Sequence, residues 1–188
     1  MLNIPKMIMV GGNSRNSGKT SVACSIISKL SATHEVIGLK VTSIRPSENE
    51  MHGNHLEEIK PGYTIFEEHN YDSDKDTSKM LRAGATHVYF IRVEDTFAEQ
   101  AILHFFSSYI NNEFIVCESR SLRNIIEPGL FLMMVRNPVS GRLKEVADYL
   151  DKADFIFDFN RQMTEIEHFE NNLYFDESKF SFVNTKTT

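Results

Sequence analysis

The feature that most constrains this chain is eleven residues long: Gly11-Gly12-Asn13-Ser14-Arg15-Asn16-Ser17-Gly18-Lys19-Thr20-Ser21. It follows an apolar run at 7–10 and leads into a helical pattern at 18–30, which places Val22, Ile26, Ile27 and Leu30 on one face. A buried strand that turns through glycine and serine straight into a helix is the setting of a phosphate-binding loop, or P-loop. The chemistry asks for these residue types. A polyphosphate needs several N–H donors converging on it. A loop wrapped at a helix N-terminus supplies them, together with the positive end of the helix dipole. Gly18 lets the backbone approach, Lys19 brings a charge to the β- and γ-phosphates, and the Thr20 hydroxyl is placed to ligate Mg²⁺. Gly12, Asn13, Ser14, Arg15, Asn16, Ser17 and Ser21 complete the expected cradle for ATP or GTP. The usual pattern carries glycine five residues before Gly18, where this chain has Asn13. Asparagine is the non-glycine residue that best tolerates left-handed geometry, so the loop is expected to form with Asn13 in that place.

Around the loop, short apolar runs at 36–41, 87–93, 114–117, 130–135 and 155–159 read as strands. Helical patterns alternate with them: one from about Asp76 that Gly84 ends, one over 96–110 opened by a Thr96/Glu99 capping box, and one over 142–150. Glu127-Pro128-Gly129 reads as a turn before a strand. Strands alternating with helices predict an α/β fold: a doubly wound, mainly parallel sheet in a three-layer α/β/α arrangement. The 188 residues give room for one domain with a proper core, so 1–188 is expected as a single P-loop NTPase domain.

Composition excludes some partners. A net charge of -6 without clustered Lys and Arg argues against nucleic acid. No apolar stretch approaches the length that spans a bilayer, and 7–10 is too short for a signal-peptide core, so a cytoplasmic chain with no membrane partner is expected. Cys24 and Cys117 sit in apolar runs, as buried thiols in a reducing compartment would. Two segments break the rhythm. The polar stretch 43–73, with Pro46, Gly53, Pro61 and Gly62, is expected to be a lid or insertion loop. The tail from about 171 is expected to be terminal packing or fraying.

The spacing Gly12-x5-Gly18-Lys19-Thr20 resembles the loop of dethiobiotin synthetase and the cobyric acid synthase group, members of the SIMIBI class of P-loop proteins. The signature lysine that this class often carries falls on Ser14 here, beside Arg15, so the ParA/MinD-type ATPases are a poor match. The middle of the chain resembles the accessory protein of molybdopterin-guanine dinucleotide biosynthesis. The residues that carry this are Ile37-Gly38-Leu39-Lys40, the segment Lys75-Asp76-Thr77 running to Ala83-Gly84-Ala85, and Glu118 closing a strand. Val41 stands where that family has histidine, and Ser119 where it has glycine. No Asn-Lys-x-Asp guanine-reading motif follows a strand; Asp151-Lys152-Ala153-Asp154 reads as a helix C-terminus.

The resemblance implies roles at strand ends, where open α/β sheets bind ligands. Lys40 would reach a phosphate or a substrate carboxylate, and Glu118 would hold Mg²⁺ through water or orient the attacking group. Their plainer readings are a solvated lysine and a carboxylate near Arg120 or Arg123. Asp76 either joins Thr20 and Glu118 in the metal shell or caps its helix, and Asn160 either reads a base or makes a turn. Thr77 is expected on the helix surface, and Asp72 and Asp74 as solvated loop charges. His52, His55 and His69 read as solvated lid histidines before a zinc site. Arg120, Arg123 and Arg136 either bind an acidic substrate or are ordinary strand-end arginines.

The leading expectation is a Mg²⁺-dependent enzyme that binds a nucleoside triphosphate and hydrolyses it or transfers phosphoryl in cofactor biosynthesis. It would act on a small-molecule or cofactor-precursor substrate. The alternatives are an ATP-dependent, carboxylate-activating synthetase and an adaptor module that hydrolyses slowly. A protein partner and a homodimer stay open.

Overall fold

Four consecutive residues of the first strand, Met7 to Val10, have no solvent exposure. Ile8 and Val10 point into one core and Met7 and Met9 into another. A strand apolar on both sides can lie only inside a sheet covered on both faces. The computed structural model describes residues 1–44, 62–136, 146–158, 167, 169, 171–176 and 179–182. Seven strands form the main sheet: β1 (Leu2–Gly12), β2 (Val36–Ile44), β3 (Tyr63–Glu67), β4 (His87–Glu94), β5 (Phe114–Glu118), β6 (Ile126–Val135) and β7 (Phe155–Asp158). Their order is β3-β4-β2-β5-β1-β6-β7. All neighbours are parallel except β3, which runs antiparallel to β4 at the edge.

Helices α1 (Lys19–Leu30) and α2 (Asp76–Arg82) cover one face, and α3 (Ala98–Tyr109) covers the other, where the short α4 (Ala147–Leu150) packs against the same core. Helix α1 buries Val22, Ala23, Ile26, Ile27 and Leu30, close to the stripe its spacing predicts. This is the expected mainly parallel, doubly wound α/β arrangement. No helix among the described residues is long and apolar enough to cross a membrane. Cys117 is buried and Cys24 half-buried, both as free thiols.

Several local expectations are corrected. Glu127-Pro128-Gly129 is not a turn but part of β6. The β1–β6 register shifts between Ile4 and Ile8, and a Cβ at Gly129 would collide with the Pro5 carbonyl. The glycine there serves a close approach of two strands at a bulge, and the bulge accommodates a proline that cannot donate. The capping box at Thr96 does not form: 95–97 is a 3₁₀ turn, and no side chain caps α3. Thr77 is buried, donating to Glu68 Oε2 at 2.8 Å.

The stretch expected as a lid is partly regular. Ser43 and Ile44 finish β2, and 63–67 forms β3. Beyond β3 the backbone is tied down by Asn70 Oδ1, which accepts from the Asp72 N–H at 2.8 Å, and by Arg82, which donates to the Tyr71 and Ser73 carbonyls. The remainder, 45–61, lies outside the described residues. So do His52 and His55, and the first part of the helix expected at 142–150. Of the two alternatives for the tail, its described residues show packing. Strands β8 (Leu173–Asp176) and β9 (Lys179–Phe182) form a hairpin that puts Leu173 and Phe180 into the α1-side core.

Candidate functional site

The loop after β1 takes its shape from two left-handed residues, Asn16 at φ 58° and Gly18 at φ 84°. Gly18 is the N-cap of α1 and makes no side-chain cap, which leaves the first-turn N–H groups facing outward. Asn13 does not take a left-handed conformation. Its backbone N–H donates to the Met134 carbonyl at 3.2 Å. Its carboxamide clamps the end of β6: Nδ2 donates to the Arg136 carbonyl at 3.2 Å, and the Arg136 N–H donates to Oδ1 at 3.1 Å. Lys19 folds back across the loop, donating to the Ser14 carbonyl at 2.7 Å and to Ser17 Oγ at 3.3 Å. Burial lowers its pKa from the ordinary lysine value, against the attraction of Glu118. Among the described residues the buried Ser14 hydroxyl has no hydrogen-bond partner.

Three side chains meet the loop from the other side: Glu118 at the end of β5, Asp76 at the start of α2, and Lys40, which is not the strand end expected from the sequence but lies midway along β2. Glu118 lies in register with Val10 on β1 and with Lys40 on β2, so the parallel pairing itself makes them neighbours. The Thr20 hydroxyl donates to Glu118 Oε2 at 2.7 Å. Lys40 Nζ lies 3.4 Å from the other Glu118 oxygen and also pairs with Asp76 Oδ2. Lys79 approaches Asp76 Oδ1 at 3.5 Å. Only 7% of the Glu118 side chain is exposed. Desolvation works against the Asp76 anion, but the hydrogen bond and charge of Lys40, with Lys79, outweigh it and hold the carboxyl below its ordinary pKa. No side chain caps α2, and the Asp76 carboxylate faces Lys40 instead.

The two sides enclose a cleft of about 820 Å³ lined by 12–21, Lys40, Asp76 and Glu118. These residues, with Arg120, are all site candidates from the sequence; Arg123, Arg136 and His69 do not line the cleft, and Asn160 lies outside the described residues. Ser43, Lys79, Ser119 and Ser121 line the cleft too and were not singled out by sequence. The Ser43 and Ser121 hydroxyls, 3.1 Å apart, continue the wall past Lys40. Arg123 is a structural residue, bonded to Glu127 and to the Ile126 carbonyl. His69 is exposed, 3.9 Å from Glu67 and outside the cleft wall.

The donor chemistry fits Mg²⁺. A threonine hydroxyl and two carboxylates are hard oxygen ligands, and sites for this ion take one or two carboxylates and complete the shell with water and phosphate oxygens. Among the described residues no group of three or more His, Cys, Asp or Glu offers a complete protein cage.

No protein-family model matches the chain, and no curated protein matches it. Among solved structures, "apo" form LpxK from Aquifex aeolicus, in complex with ATP, is similar, with a TM-score of 0.52 and 17% identity. The match covers 94% of this chain and 52% of that one, so the chain spans about half the length of the structure it resembles. At this identity the likeness establishes the fold.

Proposed function

We propose that the chain is a single P-loop domain that binds a nucleoside triphosphate with Mg²⁺ and hydrolyses it or transfers its terminal phosphoryl group. The observation that carries this is the chain of contacts from Thr20 at the head of the loop through Glu118 to Lys40 and Asp76, gathered in one cleft. An uncapped helix N-terminus beside such a charged cluster is a ready site for an anion and its counter-ion. In this reading the loop amides and Lys19 hold the β- and γ-phosphates, and Thr20, Glu118 and Asp76 hold the metal. The metal supplies charge neutralisation of the phosphates. Lys40 balances the two carboxylates and turns toward an incoming phosphate or substrate carboxylate. The ATP complex of the LpxK structure supports the nucleotide assignment by analogy of fold.

The substrate is a small acceptor, most in keeping with a cofactor precursor. The wall of Thr42, Ser43 and Ser121 beyond Lys40 leaves room for it beside the phosphates. Titration calorimetry with ATP and GTP, with and without Mg²⁺, tests the proposal, followed by phosphate release in the presence of candidate precursors. Metal-dependent binding of at least one nucleotide is expected. A protein that binds neither, with its fold intact by circular dichroism, refutes the assignment. Binding with slow turnover that no small acceptor accelerates would favour the adaptor reading.

A further inference from the structure

Arg120 follows Glu118 by two residues and lines the same cleft. Its guanidinium reaches back over β1. Nη1 donates to the Gly12 carbonyl at 3.4 Å, near the outer limit of a hydrogen bond, and Cζ lies 5.1 Å from the centre of the Tyr149 ring. These two contacts are neutral, and among the described residues no carboxylate pairs with Arg120. Two neighbouring lysines differ. Lys40 is matched by Asp76 and Glu118, and Lys79 by Asp76. A half-buried guanidinium with five rigid donors and one long bond keeps most of its hydrogen-bonding capacity in hand.

Its position gives that capacity a direction. Gly12 opens the phosphate loop, and Lys19 crosses the loop from the other end. Burial is the main cause of the lowered Lys19 pKa, and Arg120 is near enough to add like-charge repulsion. Two cations that line one cleft can both be satisfied by an anion that carries more than one charge.

We infer that Arg120 reads the terminal phosphoryl group of the bound nucleotide, leaving the Gly12 carbonyl and the Tyr149 face to donate its paired N–H groups to the γ-phosphate oxygens. This rests on the triphosphate reading above. In the transfer, the bond from the γ-phosphorus to the bridging oxygen breaks, and its electron pair leaves on the diphosphate. The acceptor oxygen forms the new P–O bond and releases its proton to solvent. Arg120 keeps its protons throughout and offsets the charge that spreads over the equatorial oxygens. A diphosphate lacks the group it contacts, so Arg120 separates triphosphate from diphosphate.

The test compares wild type, Arg120→Ala and Arg120→Lys for affinity toward Mg²⁺ with ATP, ADP, GTP and GDP, for tightening of the diphosphates by aluminium fluoride, and for turnover. In Arg120→Ala the preference for triphosphate over diphosphate should shrink by about tenfold, while diphosphate affinity stays within about twofold. Fluoride-dependent tightening should vanish, and turnover should fall by on the order of 100-fold. Arg120→Lys should recover part of the triphosphate preference but not the tightening, because an ammonium lacks the fork. A variant that keeps the wild-type preference and tightening overturns the inference while leaving the triphosphate reading in place. So does equal loss of diphosphate and triphosphate affinity, which marks a structural role, and so does a wild type that binds both alike. A wild type that binds no nucleotide removes the inference and the reading together.

Discussion

On its β6 side the phosphate loop is tied by the Asn13 carboxamide to both backbone groups of Arg136, and on its β5 side by Thr20 to a carboxylate already shared with a lysine. The first attachment is neutral and uses groups that a ligand has no reason to compete for. The second is built from ions, each of which has a better or equal partner in a phosphate or a metal. The loop therefore has a fixed flank and an exchangeable flank. In the proposed function a bound anion would rearrange Lys19, Lys40 and the Thr20 hydroxyl while Asn13 keeps the loop tied to the end of β6.

Four experiments break or sharpen this contrast. The largest effect is expected from Lys19→Ala, on the exchangeable side. It removes a charge-assisted contact worth about 1.5–3 kcal/mol, so nucleotide affinity by calorimetry should drop on the order of 100-fold while thermal stability barely changes. Next is Asn13→Ala on the fixed side, where the pattern inverts. Two backbone groups of Arg136 lose their partner, at a cost of about 2 kcal/mol, and the melting temperature should fall by roughly 4–8 °C. Residual nucleotide affinity after correction for unfolded protein should stay near wild type; a loss as large as that of Lys19→Ala would show that the flanks are not separable.

Glu118→Gln keeps the shape and removes the charge. Nucleotide should still bind, and phosphate release should fall about tenfold, or about 1.4 kcal/mol of transition-state stabilisation. Equal turnover in variant and wild type would place Glu118 outside the reacting shell.

The smallest effect concerns pH. The Asp76 carboxyl is held below the ordinary 3.8 in the folded chain. Its stabilising contribution is thus fully present above that value and is lost as the pH falls through its lower folded pKa. Urea unfolding should show wild type ahead of Asp76→Asn at neutral pH and the gap closing below about pH 4. A gap that persists in acid would assign the difference to packing instead of the ion pair with Lys40.

What could be read in advance followed the local character of the signal. The loop was legible because its residues are contiguous and sit between an apolar run and a helical stripe. Glu118 was legible as a strand end; Lys40 was expected to be one, but β2 runs on to Ile44, and only the pairing of β2 with β5 makes the two neighbours. Asp76 stayed ambiguous because a carboxylate in a helix's first turn is equally suited to capping, and spacing does not say which way it points. Asn13 was misread for a related reason: its role depends on Arg136, more than a hundred residues away, which no local rule connects to it. Strand β3 was missed because Tyr63-Thr64-Ile65-Phe66, although strand-like, is a short run at the end of a long polar stretch and reads as part of that loop. The Pro-Gly pair in β6 imitates turn chemistry, and only the bulge across from it reveals the strand.

The sheet order has a consequence in time as well as in space. Strand β1 does not pair with β2, the next to be synthesised; it pairs with β5 and β6, Met7 opposite Ile115 and Ile8 opposite Leu130. Of the seven strands of the sheet, the one that carries the loop is thus the first to be synthesised and among the last to find its neighbours. Closing so long a stretch of chain costs entropy before any contact repays it, and topologies of this kind fold slowly. Until the second half of the chain emerges, the nascent chain holds an apolar strand that needs shielding and a phosphate loop without a seat. A ligand of that loop cannot guide the early steps of folding. It can only favour, after the fact, those molecules in which β5 and β6 have already docked.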